Sequence, residues 1–210
     1  MIETAAKFFN EGGTFMWIIL GVGAFASAVI LERLYFFFVT CRGNSRGLVS
    51  RIAKAISNDN PEEAEKIASS KKSPVHRLLN VAVQRYKKGL AYEEIQQGVE
   101  EAAIKEIPKF GTRLSSLGMF ANIATLTGLL GTIFGLQVSF NSLQLAEGAE
   151  KATALANGIA QAMNTTAMGL MVAIPCMIAF TQLSNVQAGL TEDLDEATVK
   201  MLNYIEKRKA

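Results

Sequence analysis

The sequence predicts an all-α membrane protein with three transmembrane helices and long helical extensions on one side of the bilayer. Three observations carry that reading. Half of the 210 residues are apolar and mean hydropathy is +0.22, too apolar for an ordinary soluble domain of this size. Three stretches, Thr14–Leu31, Leu114–Ala146 and Ala152–Thr191, hold no charged residue, and a span needs about 20 apolar residues. No β-strand alternation, internal repeat or low-complexity tract interrupts the helical patterning.

Each segment follows from its composition. Residues 1–13 read as a short amphipathic helix ended by Gly12-Gly13, with Ala5, Phe8 and Phe9 turned to the outer interface. They hold Lys7 against Glu3 and Glu11, so the apolar run behind them lacks the basic flank of a signal peptide. The first span covers 14–39. Trp17 anchors its outer end, and Glu32-Arg33 sits about a turn from the inner interface, where long side chains snorkel. Residues 40–113 read as a cytoplasmic helical region. Asn60-Pro61-Glu62-Glu63 combines an N-cap, a first-turn proline and first-turn acids. Ser73-Pro74 starts a further helix that ends at Gly89. Ile95, Val99, Ala102, Ala103 and Ile107 recur at helical spacing, and Pro108 kinks or restarts the helix. His76 reads as a surface residue. The second span with its extension covers 114–146, a short outer loop 147–151, the third span with its extension 152–191, and a C-terminal helix 192–210.

Basic residues set the expected topology. Residues 40–113 contain fourteen Lys and Arg and the tail after Glu192 four, against one each in 1–13 and 147–151. The positive-inside rule places 40–113 and the C-terminus in the cytoplasm and the N-terminus outside. The formal net charge of +2 implies no nucleic-acid partner, and Cys41 and Cys176 are too few for a disulfide framework.

The second and third spans carry two patterns. Ala121, Ala124, Gly128, Gly131 and Gly135 recur every three or four residues, as do Gly158, Ala162, Gly169 and Ala173, and small residues let helix backbones approach closely in lipid. Beside them runs a polar stripe, Asn122, Thr125, Thr132 and Ser139, opposite Gln161, Asn164, Thr165 and Thr166. Polar groups in hydrocarbon face a protein interior or a wet path, although a hydroxyl can also bond its own helix. Thr132 lies fifteen residues before Glu147 and Thr166 fifteen after Lys151, so both are expected at one depth near mid-membrane. No acid or base lies in either span. A proton carrier at this level needs an ionisable group, so a carboxylate must come from another chain. Pro175 frees a carbonyl in the third helix. No phosphate loop, metal-ligand spacing or nucleophile constellation is present, so neither a resident cofactor nor an enzymatic activity is expected.

At these residues the sequence resembles the MotA/TolQ/ExbB proton channel family, in its ExbB/TolQ branch. The resemblance rests on Gly12-Gly13 with Ile30-Leu31-Glu32-Arg33-Leu34, and on Glu106-Ile107-Pro108-Lys109 leading to Gly128-Leu129-Leu130-Gly131-Thr132-Ile133-Phe134-Gly135. It rests further on Gly158-Ile159-Ala160-Gln161-Ala162, Thr166-Ala167-Met168-Gly169-Leu170 and Ala173-Ile174-Pro175. The resemblance implies an inner-membrane ring of five copies around a pair of single-span ExbD/TolR-like partners. A membrane Asp of the partner would carry the ion past Thr132 and Thr166, and ion flow would drive work on the cell envelope. Three positions depart from the pattern. Thr125 stands where Pro is frequent, Gln161 where Glu is frequent, and Thr165 where a small apolar residue is common in proton-driven members. An added hydroxyl suits a hard cation, so Na+ held by Thr132, Thr165 and Thr166 is an alternative to H+. A non-conducting envelope scaffold is the alternative function. A substrate carrier is not expected from three spans without an inverted repeat.

Overall fold

The computed structural model describes residues 8–9, 12–41, 45–71, 73–145 and 150–209. Seven α-helices and one π-helical stretch account for the regular structure there beyond Phe8 and Phe9. α1 (Thr14–Tyr35) runs into the π-helical stretch Phe36–Thr40. Then come α2 (Ser45–Ser57), α3 (Pro61–Ala68), α4 (Pro74–Lys87), α5 (Tyr92–Gly111), α6 (Leu114–Leu145) and α7 (Glu150–Lys209). Among the described residues, three helices are long and apolar enough to cross a membrane. Most of the expected N-terminal amphipathic helix, and residues 147–149 of the expected outer loop, lie outside the described residues.

The chain divides into two compact units, residues 1–32 with 113–182 and residues 33–112 with 183–210. The second is an amphipathic bundle, and its helices follow from their ends. Asn60 caps α3, its Oδ1 accepting the Glu63 N–H at 3.1 Å, with Pro61 in the first turn. α4 ends where Gly89 takes φ +73°, a conformation that costs glycine little. The apolar stripes close on one core. Ile52 and Ile56 of α2, Val83 of α4, Ile95 of α5 and Met201 and Ile205 of α7 are all buried in it. At roughly 1.5–3 kcal/mol per large aliphatic side chain, that core holds the bundle together.

Three details differ from the sequence reading. Residues 192–209 are not a separate helix. They continue α7, 60 residues without a break, because no glycine or proline follows Gly189 to stop it. Pro108 does not restart a helix. α5 runs through it to Gly111, and the break falls at Arg113, whose φ is +61°. The Thr112 hydroxyl donates to the Pro108 carbonyl at 3.1 Å just before that turn. His76 is buried rather than on the surface, with its Nδ1 2.7 Å from the Ser73 hydroxyl. Burial, then the charge of Lys71, holds its pKa below the ordinary value.

A charged cluster in this second unit was also not anticipated. The Glu106 carboxylate is buried and accepts from Arg77 at 3.0 and 3.1 Å and from Lys109 at 2.6 Å. Arg33 donates to the Lys109 carbonyl at 3.3 Å and lies over the Phe36 ring at 5.3 Å. A buried carboxylate is stable only when paired in this way. The motif residues Arg33, Glu106 and Lys109 therefore do structural work.

Candidate functional site

The first unit is built on the α6–α7 hairpin with α1 laid along it. Ala121, Ala124, Gly128, Gly131, Gly135 and Ser139 form the buried face of α6. These glycines of α6 pack tightly against α7, and Gly169 of α7 packs tightly against α6. A Cβ at Gly128 would meet the Gly169 and Thr166 Cα atoms at 3.3 Å, one at Gly135 the Ala162 Cα at 3.1 Å, and one at Gly169 the Ala124 carbonyl oxygen at 2.7 Å. Ala26 of α1 closes onto Ala121, Ala124, Ala173 and Cys176. Where lipid offers no hydrophobic drive between helices, this close backbone approach holds the hairpin.

The packing also fixes the register. Gly135 faces Ala162, Gly131 faces Thr165, and Gly158 faces Ser139. The same offset sets Thr132 level with Thr165 and Thr166, the depth match expected from equal residue counts. The three hydroxyls at this level are not equivalent. Thr166 donates across the hairpin to the Gly128 carbonyl at 3.2 Å. Thr132 donates within its own helix to Leu129 at 2.6 Å. Thr165 is almost fully buried, and its single hydrogen is shared between the Gln161 carbonyl at 2.8 Å and the Gly12 carbonyl at 3.0 Å.

Gly12 belongs to the turn that begins α1. Gly13 has φ +71°, and a Cβ there would lie 2.3 Å from Gln161 Nε2. Gln161 and Thr165 therefore grip the Gly12-Gly13 turn, a long-range contact that no local pattern shows. Thr165 packs inside the fold instead of facing the polar stripe. Ser139 also departs from that stripe. It lies on the small-residue face and donates to the Leu155 carbonyl at 3.2 Å, because helical rotation carries position 139 under Gly158.

What is left of the stripe is an outward face. Asn122 and Thr125 are exposed and Thr132 is half-buried, with exposed Leu129 and Leu136 between them. Thr125 donates to the Ala121 carbonyl at 3.0 Å. Asn164 and Gln161 are half-buried on α7. Pro175 sits inside unbroken α7 and lines a cavity of about 380 Å³ with Leu20, Gly23, Met171 and Val172. No residue of the site titrates. No cluster of three His, Cys, Asp or Glu suited to a metal occurs among the described residues. The site can offer hydroxyl and carbonyl oxygens to a cation, but it cannot hold a proton.

Fold and site together define a three-span membrane protein whose tight small-residue hairpin presents a neutral hydroxyl level and no ionisable group. The comparisons agree with that class. A profile of the MotA/TolQ/ExbB proton channel family matches residues 70–196. The chain is 26% identical over 97% of its length to the biopolymer transport protein exbB1 of Vibrio cholerae, covering 88% of it. It is 31% identical over 80% of its length to an ExbB-like biopolymer transport protein of Synechocystis, covering 79% of it. Its fold is similar to a chain of the C. jejuni MotAB structure, with a TM-score of 0.53 over 90% of this chain and 79% of that one at 14% identity. The chain belongs to the MotA/TolQ/ExbB proton channel family.

Proposed function

We propose that this chain is the channel-forming subunit of an inner-membrane ion-driven motor acting on the cell envelope. In this reading five copies form a ring, and single-span ExbD/TolR-like partners inside it supply the membrane Asp. The observation that carries the reading is the pairing of Thr132 and Thr166 at one level of a hairpin without an acid or base. A hydroxyl can relay or solvate an ion but cannot store a proton at neutral pH, so the titrating group must be the partner's. The outward face of exposed Asn122 and Thr125 and half-buried Thr132 supports a polar surface turned toward that partner, since polar groups in a membrane helix favour a protein-facing or wet position. The family membership and the ExbB names of the relatives support the same assignment. The basic 40–113 region supports an orientation with the N-terminus outside and the C-terminus in the cytoplasm.

We propose H+ as the coupling ion. The case for Na+ leans on Thr165, and that hydroxyl is buried and bonded to two carbonyls. The test is Thr132→Ala and Thr166→Ala in the complex with its partner, with sodium present and absent. The reading predicts loss of ion-driven work in both variants with ring assembly retained, and work by the parent that persists without sodium. Full work in both variants would leave a non-conducting scaffold as the better reading. Work that stops without sodium would make Na+ the ion.

A further inference from the structure

The two consecutive threonines of α7 bond to different neighbours. Thr166 donates to the Gly128 carbonyl of α6 at 3.2 Å. Thr165 donates to the Gly12 carbonyl, in the turn that opens α1, at 3.0 Å. Thr165 meets α6 as well, since a Cβ at Gly131 would lie 2.2 Å from its Cγ2. One buried side chain therefore touches α6, α7 and the entry to α1, one residue before the hydroxyl of the proposed ion path.

The turn that Thr165 holds suits this contact. Gly13 has φ +71°, a conformation that residues with a Cβ rarely adopt. A Cβ there would also lie 2.3 Å from Gln161 Nε2, so the Gln161 amide covers the bare Cα of Gly13. The Gln161 carbonyl shares the Thr165 hydrogen at 2.8 Å. The Met16 N–H donates to the Gly13 carbonyl at 3.2 Å, which carries the turn straight into α1. Beside it Phe15 packs on Phe134 of α6, with ring centroids 5.2 Å apart. The entry to α1 is thus fastened to α7 by a hydrogen bond and to α6 by a ring contact.

Successive residues lie about 100° apart around a helix, so anchoring Thr165 on Gly12 fixes the direction of Thr166. A buried carbonyl that loses its donor is costly, so the Gly12 bond resists rotation of α7. Held this way, the Thr166 hydroxyl spends its hydrogen on Gly128 and keeps its lone pairs for an ion.

We infer that Thr165 and Gln161 are positioning residues for ion passage. They latch the Gly12-Gly13 turn onto α7 and so hold the Thr166 oxygen at its place in the path. Neither side chain contacts the ion. The inference rests on the motor reading proposed above.

Flux through the complex with its partner, reconstituted in vesicles, tests it. The parent is compared with Thr165→Val, Thr165→Ser, Gly13→Ala and Thr166→Ala, and flux per assembled ring is measured against the concentration of the driving ion. Thr165→Val removes the hydroxyl and leaves the Gly12 carbonyl without its donor. Gly13→Ala opens the same latch from the α1 side, with α7 unchanged. A displacement of about 1 Å at a reacting group can cost about 10²-fold, so maximal flux should fall roughly 10-fold or more in both. The half-saturating ion concentration should stay at the parent's value, and Thr165→Ser should recover the flux. A raised half-saturating concentration in Thr165→Val would make Thr165 an ion ligand and overturn the inference. Flux that Thr165→Ser does not recover would overturn it too. So would variants that lose rings while each remaining ring conducts like the parent, the mark of a purely structural contact. Thr166→Ala separates the two readings. Full flux in that variant would sink the motor reading, whereas flux lost there but kept in Thr165→Val and Gly13→Ala would sink the positioning role alone.

Discussion

Adding one methyl at Gly131 should open the hairpin, and removing one from Thr165 should partly close it again. A Cβ at Gly131 falls 2.2 Å from Thr165 Cγ2 and 2.8 Å from its Cβ, against a carbon–carbon optimum of roughly 3.5–4.0 Å. Thr165 cannot turn aside freely. Its β-branched χ1 is stiff in a helix, and its hydroxyl is held by Gly12 and Gln161. The helices must part or those bonds must break. Overpacking costs about 1–3 kcal/mol, and a hydrogen bond lost with it about 1 kcal/mol more, so Gly131→Ala should destabilise the hairpin by about 1–4 kcal/mol. Thr165→Ser keeps the hydroxyl and removes the 2.2 Å contact but leaves the 2.8 Å one. Alone it should cost about 1 kcal/mol for the lost methyl. With Gly131→Ala, the pair should cost less than the sum of the two by about 1 kcal/mol. Unfolding of the purified protein in mixed micelles measures all three. Strict additivity, or a Gly131→Ala variant as stable as the parent, would refute the packing argument.

Three further outcomes follow from other sites. Gly169→Ala places its Cβ 2.7 Å from the Ala124 carbonyl oxygen and 3.2 Å from the Gly128 Cα. With only backbone to yield, the same assay should show a loss of about 1–3 kcal/mol that Thr165→Ser does not relieve. Cys41 is pushed up to about 11 by burial, against the opposing charges of Arg77 and Arg33. At pH 8 only about 0.1% is thiolate, so alkylation followed by mass spectrometry should be slow at Cys41 until the bundle is denatured. His76 has a lowered pKa in the fold, so the unfolded chain takes up its proton more readily. Its contribution is present above the unfolded value of about 6.5 and is lost as pH falls below it, with a slope of up to about 1.4 kcal/mol per pH unit. A plot of stability against pH should be flatter below 6.5 for His76→Gln, at ~6.5 being where the unfolded histidine titrates.

Periodic features were legible in the sequence. Apolar runs of bilayer length became α1, α6 and the first part of α7, because a charge-free run admits no other buried geometry in lipid. The caps at Asn60 and the stop at Gly89 are local chemistry and read directly. The small-residue stripe placed Gly128, Gly131, Gly135 and Gly169 at the hairpin contact because spacing alone puts them on one face. Long-range contacts were not legible. Nothing near Thr165 announces that its hydroxyl meets a carbonyl 153 residues away, so it read as a free oxygen ligand. Ser139 was assigned to the polar stripe by type, although its rotation places it under Gly158. Equal counting from Glu147 and Lys151 gave the right level for Thr132 against Thr166.

The most direct measurement is ion flux through the complex with its partner, reconstituted in vesicles, comparing the parent with Thr166→Ala and Thr166→Ser. The account predicts that the Ala variant assembles the ring but loses flux and work together, and that Ser, which restores the oxygen at the Gly128 level, recovers both. Full flux in Thr166→Ala with an assembled ring would contradict the claim that ions pass at this level.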